Sequence, residues 1–89
     1  MKILHIHPRK IYWLQAQQGI KDEEYLVIKP YWTTRLLNRK YDLIYYWCAY
    51  TSEKLIYPFK GFTEKVVIHP EWKYKPTKVY AIKLEGEAE

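Results

Sequence analysis

Cysteine and glycine are scarce in this sequence. The chain contains one cysteine, Cys48, and three glycines among 89 residues. A single cysteine excludes a disulfide within the chain and fits a reducing compartment. Trp47 and Ala49 flank Cys48 in an apolar run, so we expect a buried, unreactive thiol. The few glycines form no glycine-rich loop of the kind that holds phosphates in nucleotide-binding folds.

Long apolar runs and metal-ligand motifs are also missing. No stretch approaches the roughly 18 apolar residues of a membrane-spanning helix, and the segment beginning at Met1 does not resemble a signal peptide. His5 and His7 are close in sequence, His69 is far along the chain, and no cysteine–histidine spacing is typical of zinc. We therefore expect a cytoplasmic protein with no membrane partner, no metal and no cofactor.

Aromatic and basic residues are abundant instead. Aromatic side chains make up 18% of the chain, and 15 Lys and Arg residues outnumber 10 Asp and Glu residues, for a formal net charge of +5. Basic side chains displace counterions from phosphates and flat rings stack on bases, so this composition favours a polyanionic partner. A second interpretation is equally open, because a small domain with a thin core can use large rings to gain buried area.

Two helices are predicted in the first half of the chain. The first covers residues 9–18, because Pro8 suits a first helical turn and Gly19 supplies the left-handed residue that ends a helix. The residues predicted to share one face of this helix are Ile11, Leu14 and Gln18. Pro30 begins the second helix.

Six short strands account for most of the remaining chain. They are predicted over residues 2–7, 23–29, 42–50, 54–57, 62–69 and 78–84. The segment 42–50 is almost entirely apolar or aromatic, which predicts a central strand buried on both faces. Short strands with two early helices indicate an α+β fold, built as a small mixed barrel of five to six strands.

A lysine and two carboxylates directly follow the first helix. The segment from Gly19 to Tyr25 places Lys21 three positions before Glu24, with Glu23 beside it. If the lysine and the carboxylates are buried, burial and neighbouring charges can shift the pKa of the lysine or of a carboxylate. Such a shift would suit these side chains to binding or catalysis. The alternative is an exposed ion pair that contributes little.

The same segment resembles the hallmark of ASCH domains, in which a glycine, any residue, a lysine, a few further residues and then a glutamate stand at the end of the first helix. Five further stretches resemble those of small phage and bacterial members, in the same order along the chain. They are residues 29–37 (KPYWTTRLL), 41–44 (YDLI) with Tyr50, 58–62 (PFKGF), 68–70 (IHP) and 79–82 (VYAI). The resemblance spans roughly residues 3–84.

This resemblance implies a PUA-like β-barrel with a ligand cleft between the first helix, the following turn and the barrel mouth. Residues 1–84 would form the domain, and residues 85–89 an acidic flexible tail. Members of the family are generally thought to bind RNA, so RNA or a nucleotide is the implied partner. The residues expected to bind it are Lys21, Glu23, Tyr25, Lys29, Trp32, Arg35, Tyr50 and Lys60.

The resemblance also implies a catalytic alternative, since some ASCH members hydrolyse acetylcytidine or act as ribonucleases. Lys21 and Glu24 would then carry the chemistry, with Lys21 as base or electrostatic stabiliser and Glu24 as general acid or base. In the amidohydrolase group a threonine stands where this chain has Glu24. An arginine usual in the family is replaced by Leu26. Both departures speak against inherited catalysis.

A third hypothesis is an accessory protein of a phage or mobile element that binds a host protein. An exposed aromatic patch containing Trp13, Trp47 or Trp72 would favour it. The sequence leaves the oligomeric state open.

Overall fold

The protein is an α+β domain of six strands and two helices in the part of the chain that the structure describes. This structure is a computed structural model, and it describes residues 1–37, 39–49 and 51–86. In chain order the elements are β1 (Ile3–Ile6), α1 (Lys10–Gln17), β2 (Glu23–Val27), α2 (Pro30–Leu36), β3 (Leu43–Trp47), β4 (Lys54–Pro58), β5 (Phe62–Val67), a 3₁₀ helix (Pro70–Trp72) and β6 (Thr77–Lys83). The predicted α+β class is confirmed.

The first sheet has the strand order β1-β3-β4. β1 pairs in parallel with β3, which places Ile3 opposite Leu43. Parallel neighbours need a long crossover, and the segment containing α1, β2 and α2 provides it. β3 then pairs antiparallel with β4, so β3 is the central strand, as its apolar composition predicts.

The second sheet is antiparallel and has the order β2-β6-β5. β6 lies in the centre, paired with β2 on one side and β5 on the other. Four consecutive residues of β6, Val79 to Ile82, are buried, so this strand is covered on both faces. The described residues thus form two three-stranded sheets, and the predicted closed barrel is not confirmed.

One core joins the two sheets. Side chains of β3, Ile44 and Tyr46, pack in a single cluster with Leu26 of β2 and Ile82 of β6. The alternation along β3 is regular, because successive side chains of a strand point to opposite faces. Only the Ile44–Tyr46 face is fully buried, and the other face is half-buried. The prediction that residues 42–50 are buried on both faces is therefore wrong for the described strand.

The buried face of α1 differs from the predicted one. Trp13 and Ala16 are the buried residues of this helix, whereas Ile11 is 60% exposed and Leu14 is 38% exposed. Gln18 is also exposed, at the C-terminal end of α1. The predicted face is wrong because burying the large indole of Trp13 removes more apolar surface from water than burying an aliphatic side chain.

Trp13 is fixed in the core by a hydrogen bond as well as by packing. Its indole Nε1 donates to the backbone carbonyl of Tyr46 at 3.0 Å. Trp13 is only 4% exposed, so it cannot belong to an exposed docking patch, and that part of the host-protein hypothesis is wrong. Cys48 is buried as well, as its apolar neighbours predict. None of the helices in the described residues has the length and apolar content needed to cross a bilayer.

Two adjacent leucines at the end of α2 test the position of the core. Leu36 is 1% exposed, whereas Leu37 is 45% exposed. We expect Leu36→Ala to lower the free energy of unfolding by about 2–5 kcal/mol, because it leaves a cavity in a packed interior. Leu37→Ala removes the same atoms from the surface, and its effect should stay within about 0.5 kcal/mol. Urea unfolding followed by tryptophan fluorescence measures both, and equal effects would contradict the assigned core.

Candidate functional site

The turn between α1 and β2 positions the lysine and the carboxylate of the candidate site. Gly19 has a φ of +76°, in the left-handed region, and it ends α1 as predicted. The backbone carbonyl of Gln15 accepts hydrogen bonds from the N–H groups of Ile20 at 2.9 Å and of Lys21 at 3.1 Å. Lys21 is therefore tied to the last turn of the helix, and β2 begins shortly after it.

Lys21 and Glu24 form an ion pair that is largely withdrawn from solvent. Lys21 Nζ lies 3.3 Å from Glu24 Oε1, and the two side chains are only 14% and 9% exposed. Tyr46 Oη donates a hydrogen bond to Glu24 Oε2 at 3.1 Å, and the N–H of Tyr25 donates to Oε1 at 3.3 Å. The carboxylate is thus held from the turn after α1, from β2 and from β3 together. The exposed, weakly interacting ion pair considered as an alternative is not what the structure contains.

Two tyrosine rings flank the ammonium group of Lys21. Lys21 Nζ lies 4.9 Å from the centroid of the Tyr12 ring and 5.5 Å from that of Tyr25. Both distances are within the range of about 6 Å over which the negative face of a ring attracts a cation. Tyr12 Oη in turn donates to Glu71 Oε2 at 3.3 Å. The lysine is therefore surrounded by groups that orient it.

Burial dominates the acid–base properties of Glu24. It raises the pKa of the Glu24 carboxyl above the ordinary value of 4.5, although Lys21 and the hydroxyl of Tyr46 each lower it. Burial and the adjacent Glu24 charge raise the pKa of the Tyr46 phenol, so Tyr46 remains a neutral donor. The site therefore contains a carboxyl that takes up a proton more readily than an exposed glutamate does.

Glu23 and Tyr25 belong to the opposite face of β2. Lys65 Nζ lies 2.9 Å from Glu23 Oε1, and this hydrogen bond lowers the pKa of Glu23. Tyr25 Oη donates to Glu23 Oε1 at 3.3 Å. Tyr25 meets the Lys21 ammonium through its ring, whereas the Glu23 carboxylate is engaged on the surface.

The other predicted ligand residues make their contacts elsewhere. The guanidinium of Arg35 stacks on the Tyr31 ring at 3.5 Å within α2, and half-buried Trp32 packs against the core. Lys29 is exposed just before α2. Lys60 Nζ lies 3.6 Å from Glu85 Oε1 in a surface ion pair. Tyr50 lies outside the described residues, as do residues 87–89 of the predicted acidic tail.

Sequence reasoning did not assign Tyr12 and Tyr46 to the site. Tyr46 was predictable as a core residue, because it lies on a strand of apolar character, but its pairing with Glu24 requires the two sheets to be in place. Tyr12 approaches Lys21 only because the turn after α1 is held against the end of that helix. No short-range pattern carries either contact. Among the described residues, no group of three or more His, Cys, Asp or Glu side chains could hold a metal ion.

Comparisons with known proteins identify no relative of this chain: no family model, curated protein or solved structure matches it.

The raised pKa of Glu24 predicts a specific pH dependence of stability. Between pH 4.5 and the raised pKa, the folded chain keeps a proton that the unfolded chain has released, so the free energy of unfolding falls as pH rises through this window. Glu24→Gln should abolish that fall. Urea unfolding between about pH 3 and pH 8 compares the two proteins, since the groups that both share cancel in the difference.

Glu23→Gln is the matched control for this prediction. The pKa of Glu23 is lowered by Lys65, so its contribution is present above pH 4.5 and is lost as pH falls below that value. Glu23→Gln should therefore remove only the pH dependence of the free energy of unfolding below pH 4.5. Above pH 4.5, this free energy should still fall as pH rises. A Glu24→Gln profile that parallels the wild type above pH 4.5 would show that Glu24 is not buried as described.

Proposed function

We propose that this chain is an ASCH-type domain that binds RNA or a nucleotide beside the Lys21–Glu24 ion pair. In this proposal the two three-stranded sheets are the two halves of a PUA-like β-barrel. Their shared core supports this, because side chains of β3 pack with those of β2 and β6. The order of ASCH-like stretches along the chain supports the family, and the formal net charge of +5 supports an anionic ligand.

The observation that carries the proposal is the near-complete burial of a lysine–glutamate pair between tyrosine rings. Removing two charges from water is unfavourable, and a buried ion pair is at best weakly stabilising compared with apolar residues of the same size. A small domain gains little stability from such a pair, so its presence points to recognition. The exposed part of Lys21 offers a charge-assisted donor to a phosphate or a base, and the rings beside it offer stacking surfaces.

Hydrolysis of an amide or a phosphodiester is the second candidate, and the raised pKa of Glu24 favours it. A carboxyl whose pKa lies nearer to neutrality is a better general acid than an exposed glutamate. Lys21 would stabilise the developing charge. Against this candidate stand the burial of Glu24 and the two departures from the catalytic pattern at Glu24 and Leu26.

Binding and turnover separate the two candidates. We expect a fluorescently labelled single-stranded RNA to bind with an affinity that falls as salt rises, since phosphate contacts release counterions. Lys21→Ala should weaken this binding on the order of 10-fold, because it removes a charge-assisted hydrogen bond. Fluorescence anisotropy measures the affinity, and competition with an unlabelled mononucleotide distinguishes RNA from a free nucleotide as the ligand.

Two further variants guard this experiment against loss of folding. Lys21→Ala leaves the Glu24 carboxylate buried without its partner, so the double variant Lys21→Met with Glu24→Gln removes both charges and keeps the volume. Lys75→Ala removes an exposed lysine from the loop before β6 and should bind as the wild type does. Acetylcytidine and the labelled RNA are also assayed for turnover. If the wild type turns over either substrate and Lys21→Ala does not, hydrolysis replaces binding as the proposed function. If the double variant binds RNA with wild-type affinity, the proposed site is wrong.

A further inference from the structure

The sheet β1-β3-β4 has a second face, which points away from the core. On β3 the buried side chains Ile44 and Tyr46 define the inner face, and Tyr45 and Trp47 alternate with them on the outer face. The strand register extends this outer face to both neighbours. It consists of His5 and Ile3 from β1, Leu43, Tyr45 and Trp47 from β3, and Lys54, Ile56 and Pro58 from β4.

Three rings at one end of the outer face lie nearly parallel. The ring of His5 is tilted by 19° and that of His7 by only 7° from the plane of the Trp47 indole, at centroid distances of 6.1 and 6.2 Å. Trp47 Nε1 also donates a hydrogen bond to His5 Nδ1 at 3.0 Å. Because an indole N–H lies in the plane of its ring, this bond holds the two rings side by side. Trp47 and His5 therefore form a flat aromatic shelf, with the His7 ring stacked parallel to the indole and Tyr45 at the edge of the shelf.

Positive charge accompanies the shelf. Lys54 Nζ lies 5.1 Å from the centroid of Trp47 and 5.2 Å from that of Tyr45. None of the residues of the outer face carries a carboxylate, and all of them are described by the structure. The face therefore combines flat rings with an exposed, flexible cation, which is the combination that binds single-stranded nucleic acids.

A basic depression adjoins the shelf. Its volume is about 310 Å³, and His5 and His7 line both features. The other polar side chains at its wall include Arg35 and Arg39, with the Arg35 guanidinium stacked on Tyr31. Such a volume is at the lower end of the range for small-molecule sites, about 300–1,000 Å³, and suits a phosphate with its sugar. Arginine is well matched to phosphate because its planar fork donates two parallel hydrogen bonds.

Core packing does not account for the shelf. Tyr45 and Trp47 are not among the described residues that pack around the hydrophobic cluster, whereas Tyr57 and Leu55 of the neighbouring strand are. A half-buried tryptophan held flat by a hydrogen bond on an open sheet face, with a lysine above it, needs another explanation.

We propose that the outer face of the β1-β3-β4 sheet binds single-stranded RNA, with bases stacked on the shelf and on Tyr45. Lys54 and the Arg35–Arg39 depression contact the phosphates. This inference rests on the proposed function and adds a second contact surface to it, separate from the Lys21–Glu24 pair. Single strands fit because their bases can turn outward onto an exposed ring, whereas the bases of a duplex are stacked inside it.

Substitutions at Trp47 test the stacking. A labelled single-stranded RNA of about 10 nucleotides, close to the site sizes of single-strand binders, is titrated with each variant and followed by anisotropy. We expect Trp47→Leu to weaken binding roughly 5- to 150-fold, the range for loss of one stacked base, and Trp47→Phe to keep most of the affinity. Trp72→Leu, at a half-buried tryptophan of the 3₁₀ helix, should bind as the wild type does.

Lys54→Ala tests the phosphate contact. The plot of log Kd against log salt concentration should become shallower by about 1, whereas Lys75→Ala, which removes an exposed lysine from the loop before β6, should leave the slope unchanged. Both lysines are exposed, so both variants should fold. A duplex of the same sequence should bind more weakly than the single strand.

The outcomes distinguish this inference from the proposed function. If the wild type binds RNA and Lys21→Ala weakens it, while Trp47→Leu and Lys54→Ala bind as the wild type does, the outer face is not a contact surface and the proposed function stands. If the wild type binds a mononucleotide but no RNA, this inference is wrong and the proposed function stands. If it binds neither, both are wrong. Equal affinity for single strand and duplex would overturn the stacking.

Discussion

Tyr46 makes the interaction on which the rest of this structure depends. Its side chain is completely buried on the inner face of β3, and it joins three elements that are distant in sequence. Its backbone carbonyl accepts the indole N–H of Trp13, which fixes α1 on the first sheet. Its hydroxyl donates to Glu24 on β2, which belongs to the second sheet. A single residue therefore positions the helix, the sheets and the carboxylate relative to each other.

The fold class and the positions of the helices and strands could be predicted from the sequence, because their signals are local. The pairing of the strands into two sheets could not, because it depends on contacts between distant segments. Pro30 and Gly19 bound helices through their own backbone preferences, and strand alternation follows from the pleat. The buried face of α1 could not be predicted in this way. Apolar residues occupy nearly every direction around this helix, so periodicity does not select a face. Tertiary packing selects it, and Trp13 is buried because its ring area and its N–H are both satisfied there.

The candidate site also has one part that could be predicted from the sequence and one part that could not. Lys21 and Glu24 could be paired from their spacing alone, since a short turn brings residues three apart together. Their burial could not, because it depends on Tyr46 and Tyr12 arriving from other elements. Arg35 and Lys60 were assigned to a common cleft by charge, yet each finds a nearer partner, the Tyr31 ring and the Glu85 carboxylate. Charge in a sequence identifies a candidate contact, and geometry decides which contact forms.

The high aromatic content admitted two interpretations, a thin core or a binding surface, and β3 shows why both apply. Alternation along one strand sends Tyr46 inward, where its ring fills the core, and sends Tyr45 and Trp47 outward, where they do not contribute to it. The inner ring needs a buried partner for its hydroxyl and finds Glu24, which brings Lys21 with it. The outer rings remain in contact with solvent beside Lys54. The same strand thus contributes to a buried charged site on one face and to a flat basic surface on the other, and the two are separated by the thickness of a single sheet.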